Sequence, residues 1–307
     1  MTDAPDPQFR GRHLLGPHVV GQRVVIRRVL RGERGPSGGP AMTDALGVCT
    51  SWGDGRATVR TDDGTAVEIA LADIVSGKPV PPRPSIRHRV SPHEAQLRAL
   101  AQWTDLELIE LGSWALRSSE TSPNRRANSV LAMTPPTVDD PVSRVAAHYR
   151  GRGRRPIAAV LPDSPEEALF RDAGWVPESE DADSLFQIGS VAHARRFVRG
   201  LPRLDARRDE DGDHLLLTVG DPDDPVASGR AAYDRDWVGL RAVSVAPERR
   251  RQGLGLAVVA ALLEWGAERG ATTAYLQVIG DNAPALALYE GLGFRTHHAY
   301  RYLAERS

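Results

Sequence analysis

Between residues 21 and 71 apolar and polar positions alternate with a two-residue period. GQRVVIRRVL (21–30), DALGVCTSW (44–52), RATVR (56–60) and TAVEIAL (65–71) read as strands rich in β-branched residues. The Asp-Gly step in TDDG (61–64) predicts a hairpin, and RGERGPSGGP (31–40) a Gly/Pro-rich loop. Short strands packed this closely predict a small all-β SH3-like barrel over 16–80. A polar, Pro-bearing segment (1–15) ahead of it reads as a disordered tail. After it, GKPVPPRPSIRHRV (77–90) reads as a stiff extended stretch, with the Pro-rich linker itself at 81–90.

From residue 91 onward strand and helix patterns alternate, which predicts an α/β or α+β fold around one mixed sheet. A helix is expected from Ser91 or Pro92 to about Trp103. Strands follow at 107–117 and 126–133, then a helix near 140–150, a strand at 155–161, a short helix at 166–174 and a strand at 183–189. The last third reads as strands at 214–219, 225–234 and 237–245, a helix at 252–269, a strand at 273–280, a helix at 283–291 and a strand at 294–303. An offset of 119 residues lays SPEEALFRDAGW (164–175) on APALALYEGLGF (283–294). Pro165 then meets Pro284, Phe170 meets Tyr289, Gly174 meets Gly293 and Trp175 meets Phe294. The register holds through strand, turn and helix, so two duplicated lobes are expected, at 91–200 and 201–307.

Composition narrows the class. The 307 residues are 41 % apolar and 26 % charged with a net charge of −1, which fits a globular protein with no global pull toward nucleic acid or membrane. Lys78 is the only lysine, and the arginines are spread along the chain, a pattern that reads as codon bias. Seven arginines against Glu33 in residues 10–34 read as a solvated face rather than as a nucleic-acid footprint. Cys49 alone excludes an intrachain disulfide and a cysteine-based zinc cluster. No apolar run is long enough to span a bilayer, and the N-terminus lacks the order of a signal peptide, so a cytoplasmic location is expected. His297 and His298, adjacent on a strand, should point to opposite faces; no metal site is expected.

The chemistry concentrates in VSVAPERRRQGLGLAVVAALLEWGAERG (243–270). A β-branched strand ends at Val245, and Arg250-Arg251-Gln252-Gly253-Leu254-Gly255 turns directly into a helix with apolar positions at 254, 258, 261, 262 and 265. Glycines there let a backbone approach a ligand closely, and the free amides of a first helical turn suit a pyrophosphate. A turn that needs glycine for its geometry alone is the plainer reading. Downstream, Asp281-Asn282-Ala283-Pro284 opens a helix that carries Tyr289 and ends in Gly293-Phe294. Asn282 reads as an N-cap, a coenzyme contact, or both; Tyr289 reads as a core aromatic or as a proton donor.

Together these two motifs resemble the GNAT acetyltransferase superfamily. Its Arg-x-x-Gly-x-Gly/Ala pattern falls on Arg250, Gly253 and Gly255, and its Asn-x-x-Ala-x-x-Leu-Tyr-x-x-x-Gly-Phe pattern runs from Asn282 to Phe294. The resemblance implies a GNAT α+β fold and acetyl-coenzyme A as co-substrate. It places the pyrophosphate on the amides of Arg250, Arg251, Gln252, Gly253, Leu254 and Gly255, and pantetheine along Val243, Ser244 and Val245. Val243 N–H would polarise the thioester carbonyl, and Tyr289 would protonate the departing thiolate. The acceptor is then an amine, small molecule or protein, attacking directly in a ternary complex. No general base is legible; Asp234, Asp236, Asp281 or water could serve, and Arg241 reads first as a surface arginine, with a contact to a substrate carboxylate as its alternative. The first copy has Phe170 in place of the tyrosine and no Gly-x-Gly, so it is expected to persist as structure. Because 201–307 is short for a full GNAT fold, part of the acceptor wall is expected from 91–200. A non-catalytic acyl-coenzyme A sensor and an adaptor working through the barrel are the rival classes.

Overall fold

The computed structural model describes residues 15–35, 38–61, 64–80 and 86–306. The tail expected over 1–15 lies outside the described residues except for Leu15, and so does the first half of the linker, 81–85. Contacts divide the chain into two compact units, Met1–Pro84 and Ser85–Ser307.

In the first unit β1 (Arg23–Arg34), β2 (Pro40–Gly53), β3 (Arg56–Thr61), β4 (Ala66–Ala70) and β5 (Ile74–Pro79) form an antiparallel sheet in the order β4-β3-β2-β1-β5. Inward positions bury Val24, Ile26, Ala45, Cys49, Val59, Ile69 and Ile74. The Cys49 thiol is fully buried, and desolvation raises its pKa. Strand β5 is absent from the sequence reading because its Ser-Gly-Lys-Pro tail looks like a turn. Gly77 is small for a reason: a Cβ there would stand 2.9 Å from Val25 O on the neighbouring strand. Exposed arginines of this unit meet acids, Arg27 with Asp44 across β1 and β2 and Arg31 with Asp73 of the 3₁₀ turn before β5.

The second unit opens with α1 (Pro92–Arg98), capped by Ser91 Oγ, and a 3₁₀ turn at Ala99–Gln102. Then come β6 (Leu106–Leu111), β7 (Trp114–Ser119), β8 (Val130–Ala132), α2 (Pro141–Gly151), β9 (Ile157–Val160), α3 (Pro165–Asp172), β10 (Val176–Pro177), β11 (Ser184–Ser190) and α4 (Val191–Phe197). The second half holds β12 (Arg207–Asp211), β13 (His214–Gly220), β14 (Pro225–Asp234), β15 (Trp237–Val245), α5 (Leu254–Glu268), β16 (Thr273–Ile279), α6 (Ala283–Gly291) and β17 (Arg295–Ala304). Their sheet runs β12-β13-β14-β15-β16-β11-β17-β9-β8-β7-β6, with β10 alongside β17.

That order carries the repeat. In each half one helix crosses between two parallel strands, α2 from β8 to β9 and α5 from β15 to β16. In each half a short Pro-bearing helix follows, capped by Ser164 or Asn282. The closing strands are then exchanged: β11 lies against β16, β17 lies against β9, and β11 and β17 pair with each other.

Helices α4, α5 and α6 bury Val258, Val259, Leu262, Leu263 and Trp265 against one face, and on that same side Arg301 reaches Glu167 of α3. The opposite face is covered by α1 and its 3₁₀ turn, which bury Ala95 and Ala99 against Phe186, Ile188, Trp237 and Tyr275. A β-bulge corrects the expected opposite facing of His297 and His298. Phe186 opposes His298 while Gln187 opposes Thr296, which leaves His297 as the extra residue and turns its ring toward its neighbour. Val90 O accepts from His297 Nε2 at 2.9 Å; the two Nδ1 atoms are 2.7 Å apart; Gln96 Nε2 meets His298 Nε2 at 3.1 Å. Read as one directed chain from Gln96 to Val90, every donor finds an acceptor only when both rings are neutral.

Two outcomes follow for stability. Burial, and then His297, lower the His298 pKa from 6.5 to about 3. Between those values the unfolded chain binds a proton that the native chain refuses, so urea-measured stability should fall as pH drops from 6.5 toward 3. His298→Gln should flatten that slope. Separately, a Cβ at Gly239 would lie 2.3 Å from Tyr275 Oη and 2.5 Å from Gln102 Nε2. Gly239→Ala should therefore cost about 1–3 kcal/mol in the same titration.

Candidate active site

Strands β15 and β16 part before they end. They pair in parallel from Trp237/Thr273 to Leu240/Leu276, yet β15 continues to Val245 and β16 to Ile279. On its other edge β15 carries a bulge: pairing with β14 steps from Arg230↔Arg241 to Ser228↔Ser244, so Ala242 and Val243 both oppose Gly229. Ala242 sits at φ +51°, a left-handed conformation costing on the order of 1 kcal/mol for a residue with a Cβ. Bulges bend their strand, and this one leaves the β16-facing backbone of residues 241–245 without a ladder partner among the described strands. Gly229 lets α5 close on the bulge, because a Cβ there would be 2.6 Å from Val258 Cγ1.

Beyond Val245 the chain forms a 3₁₀ turn at Pro247–Arg249, then passes Arg251 at φ +60° and Gly253 at φ +82° into α5. The amides of Arg249 and Arg250 donate to Ala246 O and Pro247 O, and the next paired amide is that of Ala257. The amides of 251–256 therefore make no backbone hydrogen bond among the described residues, and Gly253 supplies no side-chain cap. A Cβ at Gly253 would meet nothing within 4 Å, so the space beside this residue is open. Arg250 Nε reaches Val245 O at 3.3 Å, and Gln252 links Arg249 Nε to Glu248 O, which ties the loop to the strand. Arg249, Arg250 and Arg251 are exposed. Open amides at the positive end of a helix dipole beside three guanidinium groups fit a diphosphate.

The second motif arrives from β16. Asn282 Oδ1 accepts from Ala285 N at 3.2 Å, so the capping half of its reading is present. A Cβ at Gly255 would stand 3.7 Å from Val245 Cγ2 and 3.8 Å from Leu288 Cδ1. The end of β15, the first turn of α5 and the middle of α6 thus meet at one point. Tyr289, next to Leu288, is 9 % exposed and packs on Phe294 at 5.8 Å. Burial raises its pKa, which keeps the phenol protonated at neutral pH, and among the described residues its hydroxyl has no hydrogen-bond partner. Val243 packs in the same core, while the exposed Ser244 is tied to Ser228 Oγ at 2.9 Å.

The sequence-based candidates divide by position. Asp236 lies at the start of β15, near Arg98 and Thr272, and Asp281 is exposed beside the cap. Arg241 is not the surface arginine expected: it is half-buried and its guanidinium lies over the Trp103 ring at 4.6 Å. Sequence spacing gave no sign of this, because Trp103 and Arg241 belong to distant segments. In the first copy, α2 starts at Asp140 with φ +48° and no side-chain cap, placing Asp139 and Asp140 where the second copy presents amides. Phe170, in the tyrosine position, is fully buried against Trp114 at 5.4 Å. Among the described residues no group of three or more His, Cys, Asp or Glu could hold a metal ion, and no helix is long and apolar enough to cross a membrane.

Comparison with known proteins gives the same outline. Residues 216–303 match a family profile described as the C-terminal part of the probable histone acetyltransferase Rv0428c, and residues 18–78 match its N-terminal Sm-like domain. The expectation of a small all-β unit stands, with Sm-like as its description in place of SH3-like. The probable histone acetyltransferase Rv0428c of Mycobacterium tuberculosis is 31 % identical over 94 % of this chain and 96 % of its own length. A mycothiol acetyltransferase of Clavibacter michiganensis is 34 % identical over 49 % of this chain and 48 % of its own. Among solved structures, a GCN5-related N-acetyltransferase from Kribbella flavida superposes with a TM-score of 0.55 at 17 % identity, covering 73 % of this chain and 97 % of that one.

Removing the cap separates the two readings of Asn282. Asn282→Ala should destabilise the protein by about 1 kcal/mol, measured by thermal or urea unfolding. Unchanged stability together with weakened coenzyme binding would leave Asn282 as a ligand contact only.

Proposed function

The chain belongs to the family of the probable histone acetyltransferase Rv0428c, acetyltransferases of the GNAT fold, and from that membership we propose how its own residues carry the transfer. Acetyl-coenzyme A is the donor and an amine the acceptor. The observation that carries this reading is the junction at Gly255, where the open amides of 251–256 adjoin both the parted end of β15 and the tyrosine-bearing helix α6.

The diphosphate docks on those amides, with Arg249, Arg250 and Arg251 as its counter-charges. Pantetheine amides take the β16-facing backbone of Val243, Ser244 and Val245 in the manner of an added strand. Val243 N–H polarises the thioester carbonyl. The amine attacks the carbonyl carbon, the carbon–sulfur bond breaks, the thiolate takes the Tyr289 proton, and the amine's own proton leaves to solvent. A covalent acyl-enzyme is not used, since the chain's one thiol, Cys49, is fully buried in the other unit. Every residue given a role in these steps lies in the second unit, between 243 and 289. The relatives' names span a histone and mycothiol, so they share no acceptor class.

Calorimetric titration with acetyl-coenzyme A, followed by thiol release over a panel of amines, tests the reading. Tyr289→Phe should lower kcat by about a hundredfold or more while leaving coenzyme affinity nearly unchanged. Unaltered turnover would remove Tyr289 as the proton donor, and binding without turnover of any amine would make the protein a coenzyme sensor.

A further inference from the structure

Across the gap between β15 and β16, on the side covered by α1, stands a row of side chains that the transfer steps above leave unused. One residue past the last parallel pair, Arg241 and Gln277 extend the row begun by Trp237↔Thr273 and Gly239↔Tyr275. Gln277 Oε1 accepts from Tyr300 Oη, which in turn accepts from Arg126 Nε at 3.0 Å. Ser184 pairs with Tyr300 between β11 and β17, and Tyr302 stands edge-on to Tyr300 at 5.5 Å.

Two guanidinium groups of this row, those of Arg126 and Arg241, form no ion pair with a carboxylate among the described residues. Several partly buried arginines of the unit meet carboxylates, Arg98 with Glu94 and Asp236, Arg125 with Glu178 and Asp181, Arg301 with Glu167 and Asp183, while Arg154 is held by Asn128 Oδ1 and Ser119 O. Arg117 is satisfied by Ser129 O and Oγ. The Arg126 guanidinium, by contrast, spends one of its five N–H groups, on Tyr300, and that of Arg241 has only the Trp103 ring among the described residues. Ser184 Oγ and Tyr302 Oη, on residues 2 % and 6 % exposed, are buried without a hydrogen-bond partner.

We propose that this row is the acceptor site and that the acceptor amine carries a carboxylate, which Arg126 and Arg241 bind with the help of the Tyr302 and Ser184 hydroxyls. Planar guanidinium groups pair with carboxylates through two parallel hydrogen bonds, and the same unanswered charges repel a lysine-rich segment. The row thus selects for acidic amines and against basic ones. The inference rests on acetyl transfer at the β15–β16 gap.

The test uses the full-length protein and matched pairs of amines that differ only at the carboxyl group. They are phenylalanine and phenylalaninamide, β-alanine and β-alaninamide, and one peptide as free acid and as C-terminal amide, so that small-molecule and peptide carboxylates are told apart. Thiol release with acetyl-coenzyme A, and saturation-transfer NMR in the presence of coenzyme A, should both favour the acid of at least one pair by roughly tenfold or more. Arg241→Gln and Arg126→Gln should each erase most of that preference while coenzyme affinity stays the same; Arg241→Gln, on the more accessible side chain, serves even if the second variant fails to fold. Amides bound or used as well as their acids, no acid bound at all, or a preference that survives Arg241→Gln overturns the inference. Failure of acetyl-coenzyme A itself to bind overturns the transfer reading and this inference with it.

Discussion

The separation of β15 from β16 after Leu240 and Leu276 is the constraint around which the second unit is arranged. Two parallel strands normally satisfy each other's backbone along their whole length. Here a bulge at Ala242 and Val243, opposite a glycine on which α5 presses, bends one strand out of the ladder. The helix that forces the bend also ends at the bend, so its unpaired amides open where the strand's unpaired backbone begins. Backbone geometry alone thereby assembles the elongated surface that a nucleotide diphosphate with a long amide-bearing tail requires. In the proposed transfer, side chains enter second, as counter-charge at Arg249–Arg251 and as a proton source at Tyr289.

The second unit contains two such crossovers, and they differ at the positions to which the proposed chemistry is assigned. Both copies keep the short capped helix and the buried aromatic after it, Trp175 and Phe294. Only the second copy keeps glycines at the start of its crossover helix; the first has Asp139-Asp140-Pro141 there, two acids where a diphosphate would need no negative charge. Phe170 fills its position by stacking on Trp114, a packing role that needs no hydroxyl. What survived in the first copy is what the core demands.

Much of this was legible in the sequence wherever a local rule decides. The Asn282 cap is such a case: it depends on residues three positions apart, and Asn282 Oδ1 accepts from Ala285 N as the sequence led one to expect. Strand β5 was missed because its edge position tolerates the Gly and Pro that mark a turn, and the bulge at His297 because only the partner strand reveals an extra residue. The acceptor-side row was hidden for a third reason. Arg126, Arg241, Gln277 and Tyr300 come from four separate segments, and their lack of acidic partners is a property of the assembled sheet. From sequence, Arg241 reads first as an ordinary arginine in a chain rich in them, and the carboxylate contact stays its second reading until the sheet is assembled.

The exchanged closing strands have a consequence for biogenesis. Strand β11 is complete once Ser190 has left the ribosome, but both of its neighbours, β16 and β17, are made last. Until then the first half carries bare strand edges, one on β9 and both on β11, and its core lacks Leu303. Cotranslational folding of the half made first is therefore held open to the end, and a nascent chain stalled near residue 294 would expose the edges through which β-rich intermediates aggregate.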